Sequence, residues 1–137
     1  MSDRAGGAYN MEDSELIALA TRVRERAYAP YSGYKVGAAL LGVSGQVYTG
    51  CNVENGVYPL GLCAEKAAVA KAVSEGERQF AAIAVVTEDG GTPCGACRQV
   101  LSEFGLDIRV IVASMSGEIR TFTVRELLPE AFTLACR

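Results

Sequence analysis

Three cysteines and one carboxylate stand at spacings that can do chemistry. Cys94 and Cys97 lie three residues apart, and Cys63 is followed two positions later by Glu65. Residues three apart share one face of a helix, so Cys94 and Cys97 can grip a single ion. The chain contains no histidine. That excludes Ser–His and Cys–His nucleophilic pairs, an imidazole general base and an imidazole metal ligand. Metal chemistry is left to thiolates and carboxylates. Three thiolates around zinc leave the fourth tetrahedral position open; a structural site closes it with a protein ligand, and a catalytic site leaves it to water. Zinc lowers the pKa of such a water to roughly 7 in the best-known case. Glu65 is then the group that can take the water's proton and hand it to a substrate.

Other readings of these residues exist. A Cys-x-x-Cys pair alone also fits a redox couple, and Cys51 or Cys136 could close a structural zinc site as fourth ligand. The redox reading leaves Cys63-Ala64-Glu65 unexplained. Cys51, at a predicted strand end, reads as a small buried hydrophobe, and Cys136, next to the terminus, as a free thiol.

The elements that must position these groups follow from periodicity and turn residues. With 137 residues, the chain is long enough to bury a core without disulfides. Residues 1–10 read as a flexible N-terminus and 11–137 as a single domain. A helix is predicted over 13–27, capped by Asp13 or Ser14, because Leu16, Ile17, Leu19, Ala20 and Val23 recur at helical spacing. Strands are predicted over 35–41 and 46–51 with a turn between them, and 52–61 reads as a loop. A helix follows over 63–75, with Gly76 as its C-terminal cap. Then come a buried-type strand over 81–87, a helix over 94–104, strands over 108–113 and 118–123, and a short helix over 124–128. Strands separated by helices imply crossovers and a sheet with helices packed on it. Both cysteine motifs fall at predicted helix starts, where free N–H groups and partial positive charge favour thiolate over thiol. Cys63 and Glu65 do not share a helix face; both reach one metal only if it lies off the helix end.

Thirteen basic and sixteen acidic side chains give a net charge of −3. Nucleic-acid binding normally comes with a basic excess, so a nucleic-acid partner is not expected. Apolar runs are too short for a membrane span, and no signal peptide is visible behind Met1. A cytoplasmic, reducing setting is the expectation, and there paired cysteines serve metals or catalysis rather than disulfides.

The motif Cys63-Ala64-Glu65 followed by Pro93-Cys94-Gly95-Ala96-Cys97 resembles the zinc deaminase signature in its three-cysteine form. The likeness continues through Tyr28-Ala29-Pro30-Tyr31-Ser32, Val36-Gly37-Ala38-Ala39-Leu40, Gly50-Cys51-Asn52-Val53-Glu54-Asn55, Tyr58-Pro59-Leu60-Gly61 and Glu126-Leu127-Leu128-Pro129. Over about residues 14–132 the chain is similar to the small homotetrameric cytidine deaminases of the cytidine and deoxycytidylate deaminase superfamily. That resemblance implies an α/β fold: a three-layer α/β/α sandwich around a mixed five-stranded sheet. It implies hydrolytic deamination of cytidine and 2′-deoxycytidine, in pyrimidine salvage, with one zinc ion per subunit on Cys63, Cys94 and Cys97 and with Glu65 as proton shuttle. Asn52 and Glu54 would hold the ribose hydroxyls; a carboxylate there accepts from a sugar but repels a phosphate, which favours a nucleoside over a nucleotide. Tyr34 would stand against the pyrimidine, where the family often has Phe, and the Ala64 backbone near the base carbonyl. Tyr58 and Phe132 would enter a neighbouring subunit's site, making a homotetramer with shared active sites. Lys66 stands where the family commonly has Arg. It keeps the charge that offsets three thiolates but lacks the planar fork, so it would tune the zinc water more weakly. The alternatives are a deaminase of a modified cytosine nucleoside and a non-catalytic structural zinc protein.

Overall fold

The structure, a computed structural model, describes residues 11–134. The flexible 1–10 segment expected from the sequence and Cys136 lie outside the described residues. Five strands form one mixed sheet: β1 (Gly37–Gly42), β2 (Val47–Cys51), β3 (Phe80–Thr87), β4 (Arg109–Ser114) and β5 (Ile119–Thr123). Their spatial order is β2-β1-β3-β4-β5. Only β3 and β4 run parallel, with Ala82 opposite Arg109 and Thr87 opposite Ser114; the other neighbours are antiparallel. The helices are α1 (Asp13–Arg24), α2 (Ala64–Ser74), α3 (Gly95–Ser102) and the single turn α4 (Val124–Leu127). No described helix is long and apolar enough to cross a membrane.

Successive side chains of a strand face opposite ways, and the two faces of this sheet carry different residues. One face presents Ala39, Leu41, Ala82, Ala84, Val86, Ile111 and Ala113 to Leu16 and Ala20 of α1. The other presents Leu40, Ile83, Val85, Val110 and Val112 to Ala68, Val69 and Ala72 of α2 and Leu101 of α3. The result is the three-layer α/β/α sandwich, with strands buried on both sides reading as continuous apolar runs. Small residues let the helices sit close. At Gly37 a Cβ would lie 2.0 Å from the Ala20 carbonyl oxygen of α1.

Four details depart from the sequence reading. The first helix starts at Asp13, but its cap is Glu12, whose N–H donates to Glu15 Oε1 at 2.9 Å. It ends at Arg24 rather than near residue 27, because Tyr28 is drawn into pairing with the chain after β2. The Tyr28 N–H donates to the Asn52 carbonyl, and the Glu54 N–H donates to the Tyr28 carbonyl. Tertiary pairing wins there over local helical pattern. Within the loop over 52–61, a 3₁₀ turn forms at Tyr58–Leu60. Cys51 is half-buried rather than buried, since β2 is an edge strand whose Val47, Thr49 and Cys51 face is only partly covered.

The sheet has two functionally unlike ends. The hairpin turn after β1 and the α2-to-β3 connection lie at one end. The chain crossings from α1 to β1, β2 to α2 and β3 to α3 lie at the other.

Candidate active site

Both cysteine motifs arrive at that second end. Cys63 is the N-cap of α2, and Cys94 is the N-cap of α3. Both are extended (φ −74°, ψ 151° and φ −66°, ψ 167°), and neither side chain caps its own helix. The first-turn amides and positive helix ends therefore face the sulfurs without competition from a side-chain oxygen. Cys97 sits one turn into α3 and is buried. The three Sγ atoms lie within 4.8 Å of one another. A tetrahedral ion with Zn–S arms of about 2.3 Å would space them by about 3.8 Å, so it would draw them together by about 1 Å or less. Three soft donors in tetrahedral array suit zinc. Among the described residues no fourth ligand joins the group, and Cys51 is not part of it.

The scaffold fixes this geometry at two points the sequence reading passed over. A Cβ at Gly50 would lie 2.6 Å from the Ala68 nitrogen and 2.7 Å from the Ala64 carbonyl oxygen, so the first turn of α2 lies directly on β2. Arg98 clamps the segment entering α3. Its guanidinium donates to the Pro93 carbonyl at 2.7 Å, to Thr92 Oγ1 at 2.8 Å and to the Leu127 carbonyl at 2.8 Å. Gly50 is flagged in sequence only by being a glycine inside a strand pattern, which signals close backbone approach. Arg98 carries no such sign, because its partners are carbonyls brought together by the fold.

Electrostatics separate the roles of the neighbouring groups. The Cys63 thiol is pulled down to about 6, first by the hydrogen bond from Cys97, then by that from Cys94 and by the Lys66 charge, against its partial burial. Cys97 is pushed up, first by its hydrogen bond to Cys63 and then by burial and by the Glu65 charge. A divalent ion held here would take the place of thiol protons. Glu65 is 5% exposed, and burial raises its carboxyl above the usual range, with the Cys63 charge adding to that. A raised carboxyl outside the ligand group is what a proton carrier needs.

Cys63, Cys94 and Glu65 line a cavity of about 650 Å³ whose walls also include Tyr34, Asn52, Glu54, Tyr58 and Ala64. Glu54 accepts from the Tyr31 N–H at 3.0 Å, the Ser32 N–H at 3.1 Å and the Ser32 hydroxyl, which hold it below the ordinary carboxylate range. Asn52 accepts from the Val36 N–H and donates to the Tyr34 carbonyl, each at 2.9 Å. Each side chain keeps spare acceptor capacity after these bonds, and Asn52 keeps a second N–H. Ala64 is the first residue of α2, so its N–H is one of that helix's free amides. Tyr58 is 74% exposed and stands edge-on to Tyr31 with ring centroids 6.0 Å apart. Phe132 is apart from the cavity wall; its carbonyl accepts from Gln99 and its ring is 68% exposed. The end of β3 and the loop after it also reach the wall, through Thr87, Gly91 and Thr92. Thr87 Oγ1 accepts from the Gly90 and Gly91 N–H groups at 2.8 and 3.0 Å.

Residues 10–115 match the cytidine and deoxycytidylate deaminase zinc-binding region. The chain is 48% identical to a cytidine deaminase of Sporosarcina psychrophila, over 90% of this chain and 93% of that one. It is 50% identical to a cytidine deaminase of Halalkalibacterium halodurans, over 90% of this chain and 96% of the other. The crystal structure of a cytidine deaminase from Burkholderia pseudomallei superposes with a TM-score of 0.86 at 49% identity, covering 89% of this chain and all of that one.

Proposed function

The chain belongs to the cytidine and deoxycytidylate deaminase family, and from that premise we propose how its own residues carry out the reaction. The protein is a zinc-dependent hydrolase that deaminates cytidine and 2′-deoxycytidine to uridine and 2′-deoxyuridine, releasing ammonia. The observation that carries this reading is the juxtaposition of three sulfurs within 4.8 Å with a buried carboxylate in one cavity wall. Cys63, Cys94 and Cys97 would hold the zinc, which when bound would supply Lewis acidity and a water activated at neutral pH.

Glu65 would take a proton from the water that adds to C4 and deliver it to N3 of the pyrimidine; it would then carry the proton of the added hydroxyl to the amino group, which leaves C4 as ammonia while the C4 carbonyl forms. Burial raises its carboxyl above the usual range, which makes it a better proton carrier than an exposed carboxylate. Asn52 and Glu54 grip the ribose hydroxyls with their remaining hydrogen-bonding capacity. Their backbone bonds fix them before substrate arrives, so little ordering is left for binding. Tyr34 offers its ring to the base, and the Ala64 N–H offers a donor for the base carbonyl. Lys66, beside Cys63 and Glu65, offsets the net charge of three thiolates on a divalent ion.

The partner is a small-molecule nucleoside. The homotetramer is supported by exposed apolar side chains around Tyr58 of the cavity wall: Val57, Tyr58 and Leu60 are 59%, 74% and 68% exposed, a patch that a neighbouring subunit would cover. Tyr58 and Phe132 are the residues such a neighbour would share. A reducing, cytoplasmic setting is supported by the gathering of Cys63, Cys94 and Cys97 as a metal-binding group rather than in a disulfide.

The test is the ultraviolet band of cytidine incubated with zinc-loaded protein and with zinc-loaded Glu65→Gln protein. The expected result is loss of the band with wild type and a rate lower by about 10²–10⁴ in the variant, with zinc content equal. Zinc-loaded wild type that leaves cytidine intact would sink the reading.

A further inference from the structure

The cavity has two fixed sides, and one hydrogen bond ties them together. On one side, Tyr34 is held by its backbone: its N–H donates to Ser32 Oγ, and its carbonyl accepts from Asn52, both at 2.9 Å. On the other side, the loop after β3 is closed on Thr87 Oγ1 and runs through Gly91 and Thr92 into Cys94. The Tyr34 hydroxyl crosses between them and donates to Asp89 Oδ1 at 2.7 Å. The same oxygen accepts from the Gly91 N–H and from the Thr87 hydroxyl, each at 3.3 Å. Gly91 lies close against the phenol: a Cβ there would stand 3.2 Å from the Tyr34 oxygen. Asp89 itself is exposed and outside the cavity wall.

We propose that Asp89 is a positioning residue, which acts through the Tyr34 hydroxyl to hold the Tyr34 ring as a fixed wall in register with the loop that delivers Cys94. A phenylalanine in place of Tyr34 could not make this bond, so the device belongs to the Tyr34–Asp89 pair. Asp89 is charged at neutral pH, its carboxyl being held below the usual range chiefly by the Tyr34 donor. The bond is therefore charge-assisted and directional. The wall contacts the base before and during reaction alike, so its loss weakens binding more than turnover.

The proposal rests on the deaminase reading above, and wild-type turnover of cytidine in the same series tests that reading separately. Steady-state kinetics of zinc-loaded Asp89→Ala, Asp89→Asn, Tyr34→Phe and the double variant Tyr34→Phe/Asp89→Ala decide the matter. Asp89→Ala is expected to raise KM for cytidine roughly fivefold to tenfold, with kcat changed by less than about twofold. Asp89→Asn, which keeps an acceptor oxygen, recovers part of the loss. In the Tyr34→Phe background Asp89→Ala adds nothing, because the path through the hydroxyl is already cut. Equal penalties in both backgrounds would show that Asp89 acts on its own loop and would overturn the proposal, as would a wild-type KM in Asp89→Ala. Should Asp89→Ala fail to fold or hold zinc, Tyr34→Phe alone decides, since it leaves the Asp89 bonds to Gly91 and Thr87 in place; an unchanged KM there refutes the proposal.

Discussion

Gly50→Ala puts one methyl group between β2 and α2. The added carbon would stand 2.6 Å from the Ala68 nitrogen and 2.7 Å from the Ala64 carbonyl oxygen. Both are backbone atoms, so no rotamer change relieves the contact. Restoring an ordinary separation of 3.4 Å requires the first turn of α2 to move out by about 0.8 Å. That turn carries Glu65 and is preceded directly by Cys63, so the displacement is transmitted to the sulfur cluster. Overpacking of this kind costs about 1–3 kcal/mol. For a chain of this length, each kcal/mol lowers Tm by about 3–5 °C. We therefore expect a Tm drop of about 3–15 °C in zinc-loaded protein and a loss of about tenfold in zinc affinity, the scale seen when ligand supports are disturbed. Calorimetry and competition against a chromophoric chelator measure the two. A variant with wild-type Tm would refute the packing argument. A lowered Tm with unchanged zinc affinity would refute the mechanical link from strand to metal site.

Arg98→Ala removes three donors from the segment entering α3 and should destabilise by about 2–3 kcal/mol in urea melts, with Arg98→Lys recovering less than half. Chelation of zinc should abolish activity and lower Tm, by the equivalent of about 4 kcal/mol if free zinc had been at a thousandfold its Kd; zinc should restore both and magnesium neither. Glu77 is held below the usual carboxylate range, chiefly by the Ser44 hydroxyl. Its folded-state pKa is thus below its unfolded value, so its contribution is present above the unfolded pKa and lost as pH falls through the folded one. Glu77→Gln should flatten the decline of Tm between about pH 5 and pH 3; an acid limb as steep as wild type's would rule this out.

The order of elements and the gathering of Cys63, Cys94 and Cys97 were legible because each has a local signature. Continuous apolar runs mark the buried strands, and the cysteines coincide with helix starts. What was not legible depends on long-range pairing. The end of α1 at Arg24 is decided by Tyr28 bonding to Asn52 and Glu54, residues far along the chain. The support from Arg98 depends on Pro93 and Leu127 carbonyls meeting at one guanidinium. The bond between Tyr34 and Asp89 spans 55 positions and joins two loops whose composition marks them only as turns. Cys51 misled because burial on an edge strand is set by how far a helix extends over it.

The two unlike ends of the sheet give the molecule a handle. Gly45 turns the β1–β2 hairpin with φ +96°, and Gly76 closes α2 with φ +95°, both at the end away from the cavity. A tether, dye or fused peptide attached there meets neither the sulfur cluster nor the nucleoside-facing wall. A dye on that hairpin would report on the remote end of the sheet while leaving the cavity of its own subunit clear.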